Sequence, residues 1–172
     1  MLRAMYYETF RQFRKMLAQL DKWFDAAEAH AKKKTFDPDT FLTFRLSPDQ
    51  FALARQVQVA CDTAKLGASR LTGKDAPKHD DSEKTIADLR ARVASTIAYL
   101  DGFKEQDFAA TATRVVTQPR WEGKVMSGAD YFLEHVTPNF FFHLSHTYAI
   151  LRHNGVDIGK RDYLGQLTQK TP

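Results

Sequence analysis

A single apolar stripe near the N-terminus constrains the fold of this chain more than any other feature. Aromatic and aliphatic residues recur there at alternating steps of four and three, the spacing of one helix face. They are Tyr6, Phe10, Phe13, Leu17, Leu20, Phe24, Ala27 and Ala31. The stripe predicts an amphipathic helix over about residues 2–33, roughly 45 Å long at ~1.5 Å per residue. A helix of this length buries its apolar face best against other long helices.

Three further helices are predicted from capping residues and from the same periodicity. The stretch Ser47–Gln50 has the composition of a capped helix start, with Ser at the N-cap and Pro at the first helical position. The helix that it begins is expected to end before Gly73. Ser82 is the predicted N-cap of the third helix, and Gly155 follows the fourth. The predicted helices lie at about 2–33, 48–72, 82–101 and 129–154.

The stretch between the third and fourth helices has a different character. TRVVTQPRWEGKVM, residues 113–126, carries β-branched residues before a Pro-Arg-Trp-Glu-Gly turn, which predicts a short β-hairpin. The tail, residues 156–172, has enough apolar residues to pack as an ordered arm, namely Val156, Ile158, Tyr163 and Leu164. Together the elements predict one domain over residues 1–172, an all-α four-helix bundle with a β-hairpin before the last helix.

Composition and charge narrow the class of protein. The single cysteine, Cys61, cannot form an internal disulfide, and no apolar run reaches the ~18 residues of a membrane span. We therefore expect a cytoplasmic protein with no membrane partner. The formal net charge is +4, but the basic residues are scattered along the chain. The densest run, Lys32–Lys34, closes a predicted helix, where cations complement the helix dipole, so we expect no nucleic-acid partner.

Two polar rows interrupt the apolar faces and mark the candidate site. On the fourth predicted helix His135, Asn139 and His143 are four residues apart, and on the second Gln58 and Asp62 interrupt small apolar residues. If these helices are neighbours, Gln58, Asp62, Asn139 and His143 converge inside the bundle. Two interpretations stay open. Either Asp62 pairs with His143 in a hydrogen-bonded cluster, or the two bind a divalent metal ion, Zn²⁺ or Ni²⁺.

Pro138 decides whether His135 belongs to this row. Inside a helix, Pro138 removes one backbone hydrogen bond and tends to kink the helix. Alternatively, Thr137 and Pro138 begin a new helix as its N-cap and first residue. In that second case His135 leaves the row, so His143 is the stronger metal candidate and His135 the weaker.

Four stretches of the sequence resemble one bacterial family. They are RQVQVACDTAK (55–65), RLTG (70–73), PNFFFH (138–143) and YAILRHNGVDIGKRDYLG (148–165). They are similar to the domain-of-unknown-function family nineteen-ninety-three, which is placed in the DinB-like superfamily. The resemblance covers essentially the whole chain. It implies a four-helix bundle in a superfamily of which many members are dimers and metal-dependent enzymes, some acting in thiol-cofactor transfer.

The resemblance also implies where a metal site would lie. The superfamily pattern has one histidine on helix two and two histidines four residues apart on helix four, followed by Leu-Arg near the helix end. Counted back from the Leu-Arg pair at 151–152, His143 takes the second histidine position and Asn139 the first. Helix two offers Gln58 and Asp62 in place of its histidine. One of the three implied ligands is therefore present.

Three functional hypotheses follow, and they leave open whether the protein is an enzyme. The first is a small-ligand-binding or degenerate-enzyme bundle with a polar pocket between helices two and four. The second is a divalent-metal-dependent transferase or hydrolase in which Asp62 and His143 hold the ion. The third is an interaction module. Its basis is Phe140–Phe142, which is apolar around the whole helix and so is either buried on every side or covered by a second copy in a homodimer.

Overall fold

A computed structural model describes residues 2–171 of the chain, and its helices confirm the predicted all-α class. Helices α1 to α4 comprise Leu2–Leu17, Gln19–Lys34, Leu53–Thr72 and Ile86–Asp101. They are followed by β1 (Val115–Val116), β2 (Met126–Ser127), α5 (Gly128–Asp130), a π-helical turn (Tyr131–Val136), α6 (Thr137–His153) and α7 (Lys160–Leu164). Within residues 2–171, no helix combines the length and the apolar character needed to cross a bilayer.

The N-terminal stripe is continuous although one residue divides the predicted helix 2–33 into α1 and α2. That residue, Ala18, has helical backbone angles (φ −65°, ψ −17°), so the apolar face keeps its direction. All eight residues of the stripe are at most 3% exposed. Phe13 stacks on Phe140 of α6 with ring centroids 4.0 Å apart. The stripe therefore forms one wall of the core, and α6 packs directly against it.

Helix α3 begins at Leu53 rather than near residue 48, because the predicted capping residues form a turn instead. The backbone N–H of Gln50 donates to the carbonyl oxygen of Ser47 at 3.0 Å. The Ser47 hydroxyl donates to the Asp49 carboxylate at 2.7 Å. Ser47 is thus engaged locally and caps no helix. Helix α3 ends where it was predicted to end, before Gly73. The φ of Gly73 is 83°, in the left-handed region that glycine adopts readily.

Helix α4 begins at Ile86 rather than near Ser82. The Thr85 hydroxyl accepts the backbone N–H of Asp88 at 3.0 Å, and the Asp88 carboxylate accepts the backbone N–H of Thr85 at 3.0 Å. This reciprocal pair is a capping box, and it needs an acidic or amide side chain three residues after the cap. Ser82 has Thr85 at that position, so it cannot form the same pair.

The predicted hairpin is present at residues 115–127, close to the expected 113–126, but each of its strands has only two residues. Strands β1 and β2 are antiparallel, with Val115 opposite Ser127 and Val116 opposite Met126. The connection between them contains a 3₁₀ turn, Pro119–Trp121. Most of the predicted hairpin is therefore an irregular connection, which places polar side chains beside the helices.

The C-terminal arm packs against α2. Val156 and Ile158 are 0% and 4% exposed. Trp23 of α2 stacks on Tyr163 of α7 with ring centroids 5.8 Å apart, and its indole N–H donates to the carbonyl oxygen of Asp162 at 3.1 Å. The stacking of Trp23 on Tyr163 and the hydrogen bond of the indole N–H hold the arm in place.

The fourth predicted helix, 129–154, consists of α5, the π turn and α6. The backbone stays helical at Val136 and Thr137, so Pro138 begins no separate helix. Because Pro138 lacks an N–H, one hydrogen bond of an α-helix is lost here, and the wider π geometry accommodates the loss.

The aromatic block is buried on one side only. Phe140 is 0% exposed, whereas Phe142 is 52% exposed. Phe141 contacts Phe13 with ring centroids 5.7 Å apart. Burial on every side, one of the two interpretations of this block, is therefore wrong for Phe142.

Gly128, which joins β2 to α5, occupies a point where no side chain fits. A Cβ atom there would overlap the backbone oxygen of Thr111. We expect Gly128→Ala to lower the free energy of unfolding by about 2 kcal/mol or more, measured by urea denaturation. Gly159→Ala is the matched control. Its nearest neighbour would be Asp162 at 3.8 Å, so the change should stay within about 0.5 kcal/mol, and equal losses would contradict the steric argument.

Candidate functional site

Helices α3 and α6 border a cavity of about 400 Å³, a volume typical of small-molecule sites. Of the residues predicted to converge, Asp62, Asn139 and His143 line it, and so does His135, whereas Gln58 does not. The remaining lining residues are Phe51, Arg55, Val59, Thr63, Leu66, Arg70, Gln118, Pro119, Arg120 and Tyr131.

His143 is held by Gln56, a residue that the sequence patterns did not single out. Its Nδ1 lies 2.7 Å from Oε1 of Gln56, and the Gln56 amide nitrogen donates to the carbonyl oxygen of Phe51 at 3.1 Å. Because that second bond turns the Gln56 oxygen toward the imidazole, Nδ1 carries the proton and Nε2 keeps its lone pair. In the described part of the chain Nε2 has no hydrogen-bond partner. The expected Asp62–His143 pair is therefore not formed.

Burial keeps the imidazole of His143 neutral. Burial, together with the nearby charges of His146 and Arg55, lowers the pKa of His143 from 6.5 to about 4. Phe51 covers the ring, with centroids 6.2 Å apart and an angle of 19° between the planes. At neutral pH the lone pair on Nε2 is therefore available to accept a hydrogen bond.

Asn139 and His135 lie on the same wall as His143. The Asn139 amide donates to the Thr63 hydroxyl at 2.7 Å. Nε2 of His135 accepts from Arg120 at 2.7 Å. Because the backbone continues through the π turn, His135 keeps its place beside Asn139. His135, predicted to be the weaker metal ligand, thus lines the cavity as well.

Asp62 and Gln58 bond to polar groups on α3, on α4 and in the segment before α4, rather than to α6. Oδ1 of Asp62 accepts from Arg92 at 2.8 Å and from Lys65 at 3.0 Å. The Gln58 amide donates to Glu83 at 2.8 Å. Asp62 still borders the cavity, but its negative charge is already paired.

Arg92 is the centre of a buried ion cluster. Its side chain is 1% exposed and binds Glu83 at 2.7 Å, Asp62 at 2.8 Å and Asp81 at 3.0 Å. Burial opposes the charge, but the hydrogen bond to Glu83 and the charges of Asp62 and Glu83 raise the pKa of Arg92 above its ordinary value. Burial likewise opposes the charge of Glu83, but the hydrogen bonds from Arg92, from the backbone and from Gln58, together with the charge of Arg92, outweigh burial and lower the pKa of Glu83.

Arg55 and Lys65 complete the charge balance of this cluster. Arg55 pairs with Asp81, and Lys65, 4% exposed, pairs with Asp62. Together with Arg92, three cations face three carboxylates among residues 2–171. The cluster connects the segment before α4 to α3 through ion pairs. Because Asp62 belongs to the cluster, the one carboxylate that it contributes to the cavity wall is already paired.

Two nucleophilic side chains outside the cavity are inert. The ammonium of Lys65, which can only donate, lies 3.0 Å from Nδ1 of His79, so the Nε2–H of His79 faces the Ser95 hydroxyl at 2.9 Å. A base that activates serine needs an unprotonated nitrogen there, so Ser95 is not activated. Burial raises the pKa of the Cys61 thiol to about 12, which suppresses the reactive thiolate.

Sequence reasoning missed the opposite end of the cavity, which contains two arginines and a glutamine. Arg70 donates to the Tyr131 hydroxyl at 2.9 Å, and Arg120 donates to His135. Gln118 is only 7% exposed, and its Nε2 has no partner. These residues come from α3 and from the hairpin connection, and no local spacing relates them. The only signal in the sequence was the basic Pro-Arg-Trp turn.

The donor atoms around the cavity do not form a strong set for a divalent ion. Zn²⁺ and Ni²⁺ sites in proteins use three or more histidine, thiolate or carboxylate donors. Within the described residues, no three His, Cys, Asp or Glu side chains are grouped closely enough to share an ion. His143 offers Nε2, but Asp62 is engaged by Arg92 and Lys65, and Asn139 stands where the superfamily pattern has histidine.

Comparisons with known proteins agree with this architecture. The model of the family described as Domain of unknown function (DUF1993) matches residues 5–164. A crystal structure of a DinB family member protein from Shewanella denitrificans matches with a TM-score of 0.96 and 53% sequence identity. That match covers 99% of this chain and 98% of the other. Among curated proteins, no sequence matches this chain.

The buried ion cluster makes Arg92 far more sensitive to substitution than an exposed arginine of similar pairing. We expect Arg92→Met to lower the free energy of unfolding by about 3 kcal/mol, because Glu83, with 9% of its side chain exposed, loses the cation that pairs with it, while Asp62 and Asp81 keep Lys65 and Arg55. Arg90 is the matched control, since it also binds three carboxylates but has 26% of its side chain exposed. Arg90→Met should cost less than about 1 kcal/mol in the same urea denaturation. Similar losses would show that burial is not what makes Arg92 critical.

The depressed pKa of His143 predicts how stability depends on pH. Because the folded chain has the lower pKa, the unfolded chain binds the proton more readily, and stability is lost as pH falls from about 6.5 toward 4. His143→Gln should shrink the loss of unfolding free energy between pH 7 and pH 5 by about 2 kcal/mol. An unchanged slope in the His143 variant would contradict the assignment.

Proposed function

This chain belongs to the DUF1993 family, whose description assigns no activity, and from its site we propose that it binds a small molecule in the cavity between α3 and α6. The observation that carries the proposal is the imidazole of His143. It is neutral, its Nδ1 is fixed by Gln56, and its Nε2 has no partner in residues 2–171. Because His143 lines the cavity and its Nε2 keeps a free lone pair, a ligand donor can bond to this nitrogen without displacing a protein partner.

The surroundings of His143 suit a small molecule with an apolar body. Because the Asn139 nitrogen donates to Thr63, the Asn139 oxygen is left to accept a second hydrogen bond from the ligand. Phe51, Val59 and Leu66 provide apolar surface on the same cavity. A few fixed polar groups on a mainly apolar wall are typical of small-molecule sites.

The pKa of His143 favours binding over catalysis. A general base is most effective when its pKa lies near the working pH, and a pKa of about 4 is far below neutrality. The imidazole accepts hydrogen bonds well under these conditions but takes up a proton poorly. A ligand-binding protein or a degenerate enzyme therefore fits this site better than an active hydrolase or transferase.

A divalent-metal-dependent transferase or hydrolase is the alternative proposal. It requires Asp62 to leave Arg92 and Lys65 and to join His143, which would leave the buried ammonium of Lys65 without a carboxylate partner in residues 2–171. The content of Zn and Ni in protein purified without chelator tests it. One ion per chain in the wild type, lost in His143→Ala, would replace the ligand-binding proposal with the metal proposal.

We also propose that the chain forms a homodimer through the exposed apolar surface of the π turn and α6. Phe142 is 52% exposed there and, together with Pro138, lines one groove on that surface. Covering them with a second copy would remove this apolar area from water. The mass from light scattering measures the assembly, and Phe142→Glu should reduce a dimer to monomers while His143→Ala does not.

The ligand-binding proposal predicts that small aromatic compounds with hydroxyl or amine groups bind at the cavity. In amide NMR spectra, such a fragment panel should shift the signals of cavity-lining residues. His143→Ala should weaken the best fragment by about tenfold, the value of one buried hydrogen bond of about 1.4 kcal/mol. Val59→Trp, which fills the cavity with a larger side chain, should abolish binding.

His153→Ala is the control, because it removes an exposed histidine elsewhere on α6 and should leave fragment affinity unchanged. Thermal denaturation of each variant establishes that it is folded. Binding that persists in Val59→Trp, or shifts confined to other surfaces, would refute the proposed site.

A further inference from the structure

The end of the cavity away from His143 carries two cations without counter-ions. Arg70 is bonded to the Tyr131 hydroxyl and Arg120 to His135, both neutral groups. Among the described residues neither guanidinium forms an ion pair with a carboxylate. Burial lowers the pKa of His135, and the charges of both arginines lower it further. The two cations therefore act on one region of the cavity.

Gln118 adds an unsatisfied polar group at the same end. The residue is 7% exposed and lines the cavity. Its Nε2 is buried without a hydrogen-bond partner in residues 2–171, an arrangement that costs free energy unless something binds there. Because an amide nitrogen carries two N–H donors, Gln118 can donate to an oxyanion bound at this end of the cavity.

The remaining charges on the cavity wall do not neutralise this end. Asp62 is the one carboxylate among the lining residues, and it is paired with Arg92 and Lys65. Arg55, the third lining arginine, is paired with Asp81. After this pairing the cavity keeps the positive charge of Arg70 and Arg120.

We propose that the ligand is a small organic anion whose carboxylate or phosphate group binds at Arg70 and Arg120. Guanidinium groups bind such oxyanions with paired, charge-assisted hydrogen bonds. The apolar body of the ligand then lies along Val59 and Leu66, toward His143. The inference rests on the proposed function, that this cavity binds a small molecule, and it adds the charge and the orientation of that molecule.

Three probes of the same shape test the charge: naphthoate, naphthyl phosphate and the neutral naphthamide. Titration followed by amide NMR should show the anions shifting cavity signals, with at least one of them binding about tenfold or more tightly than naphthamide. The tighter anion distinguishes a carboxylate ligand from a phosphate ligand. Arg70→Met and Arg120→Met should each weaken the anion by about tenfold and leave naphthamide unchanged.

The control is Arg11→Met on α1, an exposed arginine paired with Glu8, which should leave all three affinities unchanged. Arg120 is itself exposed, so its variant reports on binding even if Arg70→Met is unfolded. If naphthamide shifts the cavity signals and binds as tightly as both anions, the anion inference is overturned and the proposed function stands. If none of the probes shifts cavity signals, both are overturned.

Discussion

The neutralisation of one buried guanidinium, that of Arg92, determines the character of the site. A charge with 1% exposure must be paired, and here Asp62, Asp81 and Glu83 pair it. Once Asp62 serves Arg92, it is not available to His143, which takes Gln56 as its partner instead. The cavity between α3 and α6 is thus lined by a neutral imidazole, that of His143, and by the carboxylate of Asp62, whose charge is already paired. Both proposals about its ligand depend on this distribution of charge.

The π turn before Pro138 is the second determinant, because it keeps α6 continuous with the segment that carries His135. Without an unbroken helical backbone, His135 would leave the wall that Asn139 and His143 occupy. The cavity therefore has hydrogen-bond acceptors at the His143 end and donors at the Arg70 end. π turns inside helices occur frequently at functional sites, and here the turn positions a lining residue. The bundle of the DinB-like superfamily is retained, while the polar groups on its inner wall differ from the superfamily pattern, as expected when one fold carries different sites.

Sequence patterns anticipated the features that depend on neighbouring residues. The apolar stripe from Tyr6 to Ala31 is buried along its whole length, and Gly73 ends α3. The helix starts were less predictable, because several side chains compete for each cap. Ser47 has Asp49 two residues away as an acceptor and forms a turn, whereas Thr85, three residues after the predicted cap Ser82, forms the capping box with Asp88. Of the site, the row on α6 was anticipated, and its partners on α3 were not.

By itself the sequence determined the all-α class, the bundle and the inward row of polar residues, because periodicity acts within one or two helical turns. Only the tertiary structure decided which polar groups meet. Asp62 lies 30 residues from Arg92, and His143 lies 87 residues from Gln56. The spacing of residues along one helix does not indicate which distant side chain Asp62 or His143 pairs with. That depends on which charges the folded chain buries, because a buried charge needs a partner. That choice of partners left a cavity with a cationic end where a pattern of residue types had suggested a metal site.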